Sequence, residues 1–259
     1  MKYFLTILMI TTFFCAGNAQ KKVAFSGKKM ITVPAGNYQP FFITQNNKPV
    51  SVAAFKMDET AVTNAEFLEF VKANPEWRRS KVNHLFADTN YLRHWQSDLS
   101  IGEANKKIYN SPVVNVSWFA AEAYCKWKNK KLPTIAQWEL AAKAAPKNFK
   151  YNSVTDFILD WYTKPNPPVL PNVKSTYKNE YGLYDMNGLI WEWTFNFNSF
   201  IASRDSRGND EDELKNFCAG GALNVADKSD YAAFLRFSYR GSLKGNFCIA
   251  NLGFRCVKN

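Results

Sequence analysis

A chain of 259 residues with 46% hydrophobic and 16% aromatic content is long enough to bury a sizeable core and reads as a well-packed globule. The formal net charge of +11 admits an anionic partner. However, no run of five or more basic residues and no nucleic-acid motif occurs, so nucleic-acid binding is excluded. The two histidines, His84 and His94, are too few for a histidine-rich metal centre, and the cysteines lack zinc-finger spacing.

Met1-Lys2 followed by an apolar run from Tyr3 to Phe14 and small residues at Gly17-Asn18-Ala19 reads as a signal peptide over residues 1–19, cut after Ala19. The run is shorter than the ~20 residues of a membrane span, so none is expected. Lipid anchoring at Cys15 is the alternative, disfavoured by the bulky Thr12-Phe13-Phe14 before it. The mature chain is expected to be periplasmic or secreted, with a charge lowered to +10 by the loss of Lys2. In an oxidising compartment Cys125, Cys218, Cys248 and Cys256 suggest two disulfides, with three connectivities open.

Residues 29–42, KMITVPAGNYQPFF, alternate around Pro34-Ala35-Gly36 as a strand, a turn and a strand. Val52 to Lys56 reads as a short strand. Thr63-Asn-Ala-Glu66 is a capping box that opens a helix through about Ala73 with Phe67, Phe70 and Val71 on one face. Asn74 to Asn110 reads as an ordered excursion pinned by Trp77, Phe86, Tyr91 and Trp95, with Arg78, Arg79 and Arg93 bracing carboxylates. Pro112 to Val116 is expected as a strand, and Ser117 caps a helix through about Asn129. Thr134-Ile-Ala-Gln137 caps another through about Ala145. Lys147 to Asn179, with PNPPVLPN at its centre, reads as loop. Asp205 to Glu213 is an acidic loop without EF-hand spacing. Phe217 to the end is expected to supply short strands, and residues 20–259 read as one domain.

Four segments carry a resemblance: VTNAEF (62–67), PVVNVSWFAAEAYCKW with KLPTIAQWELAA (112–142), YGLYDMNGLIWEWT (181–194) and NLGFRC (251–256). In this order they resemble the formylglycine-generating-enzyme, or sulfatase-modifying-factor, family. The resemblance implies an irregular α+β fold related to C-type lectin domains, with little regular secondary structure. It implies a structural calcium held by backbone carbonyls of Asn187, Gly188 and Ile190 and by the Glu192 carboxylate, oxygen donors that suit Ca²⁺. The alternative is a Glu192 held by arginine or backbone donors without metal. A second calcium site of the family places Lys174 where an aspartate ligates, and is not expected here. The resemblance also implies a Cys125–Cys256 disulfide, which leaves Cys218 and Cys248 for a second bridge.

The family's oxidase chemistry uses two cysteines a few residues beyond a Gly-Gly pair, thiolates that hold copper(I). After Gly220-Gly221, the matching positions fall near Val225 and Asp230, and no cysteine lies between 219 and 247. Copper is therefore not expected. Segments 75–95, 116–125 and 219–243 further resemble the family members associated with copper nitrite reductase, called NirV. The reading is an exported, non-catalytic accessory or binding protein whose partner is an exported protein such as a copper-containing reductase. Its candidate groove is formed by Asn224, Asp227, Ser229, Asp230, Tyr231, Arg236 and Arg240, a set that reads equally as an internal salt-bridge network. The alternatives are a formylglycine-generating-type oxidase using Cys218 and Cys248, and a structural component of a surface or secretion complex.

Overall fold

The computed structural model describes residues 27–38, 49–146, 149–198 and 228–259. The signal-peptide reading, Cys15, the acidic loop at 205–213, Cys218, the Gly220-Gly221 pair, Asn224, Val225 and Asp227 lie outside them. Among the described residues, no helix is long and apolar enough to cross a membrane.

The fold is α+β; among the described residues, five α-helices are set among very short strands. The strand–turn–strand reading at the start yields β1 (Met30–Val33) and β2 (Gly36–Tyr38), which the Pro34-Ala35 turn sends into different sheets. The expected strand near Val52 is divided into β3 (Val50–Val52) and β4 (Phe55–Asp58). β4 lies between β1 and β7 (Val257–Lys258), antiparallel to both, while β2 pairs with β3. A third pair, β5 (Trp191–Glu192) and β6 (Leu252–Gly253), is parallel, aligning Trp191 with Leu252 and Glu192 with Gly253. Gly253 is required there: a Cβ on it would lie 2.3 Å from the carbonyl oxygen of Val113, closer than backbone can yield.

Three helices follow the capping logic of the sequence. α1 (Asn64–Ala73) and α3 (Ile135–Ala142) carry complete capping boxes at Thr63/Glu66 and Thr134/Gln137, and Ser117 caps α2 (Trp118–Trp127). α1 and α2 bury Phe67, Phe70, Val71 and Tyr124 against Trp95, Trp193 and Phe254 in the main core, whereas α3 covers β2 and β3. The excursion at 74–110 is ordered, with Tyr91 and Trp95 buried, but Phe86 is 46% exposed. Arg79 braces backbone rather than carboxylates: its Nη1 donates to the carbonyls of Leu92 and Trp95.

Three expectations are corrected. Residues 112–116 form no strand; Asn115 adopts φ 53°, which breaks the extended path, and only a bridge from Pro112 to Thr63 remains. The expected loop at 147–179 contains α4 (Val154–Thr163), capped by Ser153. The expected strands after Phe217 are preceded by a helix, α5 (Lys228–Ser242), which packs against α4. Ala232, Arg236, Tyr239, Arg240 and Leu243 recur at helical spacing, so one side of α5 faces the protein.

Candidate functional site

β5 places Glu192 in the interior, and the chain leaving β6 brings Arg255 opposite it; both side chains are 0% exposed. The guanidinium Nε donates to both carboxylate oxygens at 2.9 Å, and Nη2 donates to Oε1 at 2.8 Å. The indole Nε1 of Trp138, on α3, donates to Oε2 at 2.8 Å. These four contacts use the lone-pair positions that a carboxylate has. The remaining arginine N–H groups point to the carbonyls of Asp58, Glu59, Tyr184 and Asp185. A single buried cation thereby ties β4, the 184–185 turn and β5 together.

Of the four expected calcium ligands, the Glu192 carboxylate and the Asn187 carbonyl already have protein partners. Glu192 has its charge balanced by Arg255, and an ion bound to it would stand beside a guanidinium. The Asn187 carbonyl accepts from the Thr176 hydroxyl at 3.2 Å, and its amide donates to the Tyr177 hydroxyl at 3.0 Å. Gly188, at φ 93°, makes room for a neighbour instead. A Cβ there would lie 2.3 Å from Cζ of Phe157, so the missing side chain is the seat of that ring. Ile190 is buried beside Leu189. The residues present do not fit a calcium that takes Glu192 as ligand. A site with Kd near 10 μM would raise stability by about 2.7 kcal/mol in 1 mM calcium, or roughly 5–10 °C in Tm for a chain of this size. The expected result is a shift below about 1 °C between 1 mM calcium and EDTA. Lys174 sends its ammonium to Glu59 at 2.6 Å, a carboxylate shared with Lys29 at 3.0 Å.

Around the candidate groove, Arg236 and Arg240 project from α5 onto Glu139 of α3. Arg236 grips the carboxylate through Nε at 3.1 Å and Nη2 at 3.0 Å, and Arg240 adds a contact at 2.7 Å while stacking over Trp138. These two arginines serve the internal salt-bridge reading. They border a small pocket of about 10 Å³, room for one water, lined also by Trp138, Trp161, Trp191 and Tyr239. Tyr231 is 45% exposed on the outer side of α5. Ser229 and Asp230 belong to α5 by backbone, and their side chains lie outside the described residues.

The Glu139 cluster has a pH signature. Burial disfavours the charged carboxylate, but the two guanidiniums outweigh it and hold the group down to about 2. A carboxyl depressed in the fold contributes fully above its unfolded value of 4.5 and loses that contribution as pH falls toward about 2. Stability is expected to drop by roughly 3 kcal/mol across that window. Urea titrations at stepped pH should show this slope, and Glu139→Gln, less stable at pH 6, should flatten it; an unchanged slope in the variant would refute the assignment. His94, half-buried and bonded to Asn64 Oδ1 at 3.0 Å, is lowered to about 4 by desolvation and is neutral at physiological pH.

Sulfur chemistry is restricted. Cys125 on α2 and Cys256 before β7 are joined in a disulfide across 131 residues, Cα atoms 5.8 Å apart. Cys248 is a buried free thiol among the described residues, and Cys218, its expected partner, lies outside them. Burial, with Asp88 nearby, pushes the Cys248 thiol well above its usual range. It is therefore a poor thiolate donor for copper(I). Among the described residues, no group of three or more His, Cys, Asp or Glu side chains is arranged to hold a metal ion.

Short strands, capped helices, a disulfide near the chain end and buried ion pairs define the class: irregular α+β modules held together by discrete polar and covalent links. The chain belongs to the sulfatase-modifying-factor family, since the model of the sulfatase-modifying factor enzyme 1-like domain matches residues 16–259. It is 27% identical over 273 residues to inactive C-alpha-formylglycine-generating enzyme 2 of Bos taurus, covering 88% of this chain and 87% of that protein. It is 29% identical over 261 residues to the formylglycine-generating enzyme of Streptomyces coelicolor, covering 81% and 80%. Among solved structures, PvdO from Pseudomonas aeruginosa is similar at 16% identity with a TM-score of 0.48, covering 90% of this chain and 94% of that chain. The family thus contains both active and inactive members.

Sequence reasoning missed Arg255 and Trp138 as the partners of Glu192, and Glu139 as the partner of the two arginines. It also missed α4, although Ser153-Val-Thr-Asp156 followed by Phe157, Ile158 and Trp161 is a start signal with helical spacing.

Proposed function

We propose that this chain is an exported, non-catalytic member of the family, a module that binds and assists another exported protein. Copper nitrite reductase is the proposed partner class, from the resemblance of segments 75–95, 116–125 and 219–243 to the NirV-like members; a relation of the fold to C-type lectin domains belongs to the same proposal. The observation that carries the non-catalytic reading is the state of the sulfurs. Two of the four mature cysteines are bonded to each other and a third is a buried neutral thiol, while Val225 and Asp230 stand where thiolates would be needed. Copper(I) requires soft thiolate donors that valine and aspartate cannot supply. The proposed partner contacts are the outward side of α5, where Tyr231 is exposed, together with Asn224, Asp227, Ser229 and Asp230.

The test is anaerobic copper(I) titration of the oxidised mature protein against a chromogenic chelator, combined with mass spectrometry of a cysteine-containing peptide after incubation with oxygen. The expected result is no stoichiometric copper and no aldehyde. One copper(I) per chain, or any conversion of the peptide, would restore the oxidase reading.

A further inference from the structure

α4 has two working faces. Ile158 and Tyr162 turn inward, with Tyr162 stacked on Trp191 at 5.0 Å. Phe157, Asp160, Trp161 and Lys164, spaced i, i+3, i+4 and i+7, form the other face and one wall of an open cleft. The segment at Phe149 to Tyr151 and the segment at Ser175 to Lys178 supply the facing walls. Its volume of about 640 Å³ falls in the range of small-molecule sites. None of the family motifs runs along α4, and the cleft lies apart from the groove residues on α5.

The lining specifies a chemistry. Phe149, Tyr151, Phe157 and Tyr177 form a cluster of rings with centroids 5.1–5.5 Å apart, and Trp161 extends it along the helix. Three lysines, Lys150, Lys164 and Lys178, face one carboxylate, Asp160. Asp160 is already engaged, by Lys164 at 2.5 Å and the Tyr151 hydroxyl at 2.6 Å. Lys150 and Lys178 are exposed, and neither forms an ion pair with a carboxylate among the described residues; the Lys178 ammonium lies over the Tyr184 ring, 5.4 Å from its centroid, at the edge of the cleft. A cation-binding aromatic box would present rings without this excess of lysine, since like charges repel the ligand. Rings beside uncompensated ammonium groups instead suit a ligand that is flat on one side and negative at one end.

We propose that this cleft binds a small organic anion carrying a ring, its flat face against the Phe157–Trp161 wall and its carboxylate between Lys150 and Lys178. The site is independent of the accessory-protein reading, because it requires no partner protein and no sulfur chemistry.

Calorimetry or ligand-observed NMR on the mature chain tests it with four probes. These are indole-3-acetate and glucuronate, which carry both features, and indole and methyl glucoside, which lack the charge. At least one acid is expected to bind with Kd of about 0.1–1 mM, reasonable for ligands of this size, and about tenfold more tightly than its neutral counterpart. Which acid binds distinguishes an aromatic from a sugar source. The double variant Lys150→Ala with Lys178→Ala should erase that tenfold preference and leave Tm unchanged, because both side chains are exposed. Ser175→Trp, at an exposed position on the rim, should block both acids. Failure of both acids to bind at 5 mM, equal affinity for charged and neutral probes, or an unaltered preference in the double variant would each overturn the proposal. Those outcomes leave the copper and peptide results untouched.

Discussion

Arg255→Ala is expected to destabilise the protein by about 3–5 kcal/mol, the usual consequence of leaving one partner of a buried ion pair alone. The magnitude follows from position: both side chains are fully buried, and the guanidinium carries the carboxylate of Glu192 and four main-chain carbonyls at once. The orphaned carboxylate would retain only the Trp138 indole. Urea unfolding of the single variants Arg255→Ala and Glu192→Gln and of the double Glu192→Gln/Arg255→Met provides the measurement. The double variant should be more stable than the sum of the single losses, because removing both charges also removes the uncompensated one. If Arg255→Ala loses less than about 1 kcal/mol, the ion pair does not tie these segments together.

The second large effect concerns the chain end. Opening the Cys125–Cys256 bond, by reduction or as the Cys125→Ser/Cys256→Ser double variant, should cost roughly 4–5 kcal/mol on the chain-entropy model, given its loop of 131 residues. The bond joins α2 to the strand β7, and β7 completes the sheet on β4, so its loss frees the edge of that sheet. Cys248→Ala is the control. It removes a free thiol from the core and should cost no more than a small cavity, about 1 kcal/mol, in reduced and oxidised buffers alike. A melting curve that ignores reductant in the parent protein would show that the disulfide contributes nothing to stability.

The capping boxes at Thr63 and Thr134 and the cap at Ser117 were legible because the signal is local: a hydroxyl and a carboxylate or amide three residues apart satisfy free backbone N–H groups wherever the helix goes. α4 escaped because prolines and asparagines on its C-terminal side dominate the composition of that stretch, although the cap at Ser153 is as local as the others. The 112–116 segment looked like a strand through its valines, but a positive φ at Asn115 turns it, and no propensity rule announces that. α5 escaped for another reason. Its inward side is built of arginine and tyrosine in place of aliphatic residues, so the hydrophobic period that marks a helix is weak until Glu139 is seen beneath it.

The amino-acid sequence by itself determined the two helices around the Cys125 segment and carried the motifs of the family; the pairing of Cys125 with Cys256 was implied only by that resemblance, and the structure bears it out. The sequence also showed that no cysteine occupies the positions near Val225 and Asp230. These readings depend on residue identity and order alone. Only the tertiary structure decided what neutralises Glu192. The competing answers, a calcium ion or an arginine 63 residues away, require the same carboxylate in the same motif. They differ in whether a guanidinium reaches that carboxylate through the fold. Arg255 does, because the parallel pairing of β5 with β6 draws the chain end across the site, and Gly253 lets it pass beneath the Val113 carbonyl. The destinations of Arg236 and Arg240 were settled in the same way, by a helix packing that brings Glu139 under them. Long-range charge pairing depends on distance in space, and distance along the chain does not encode it.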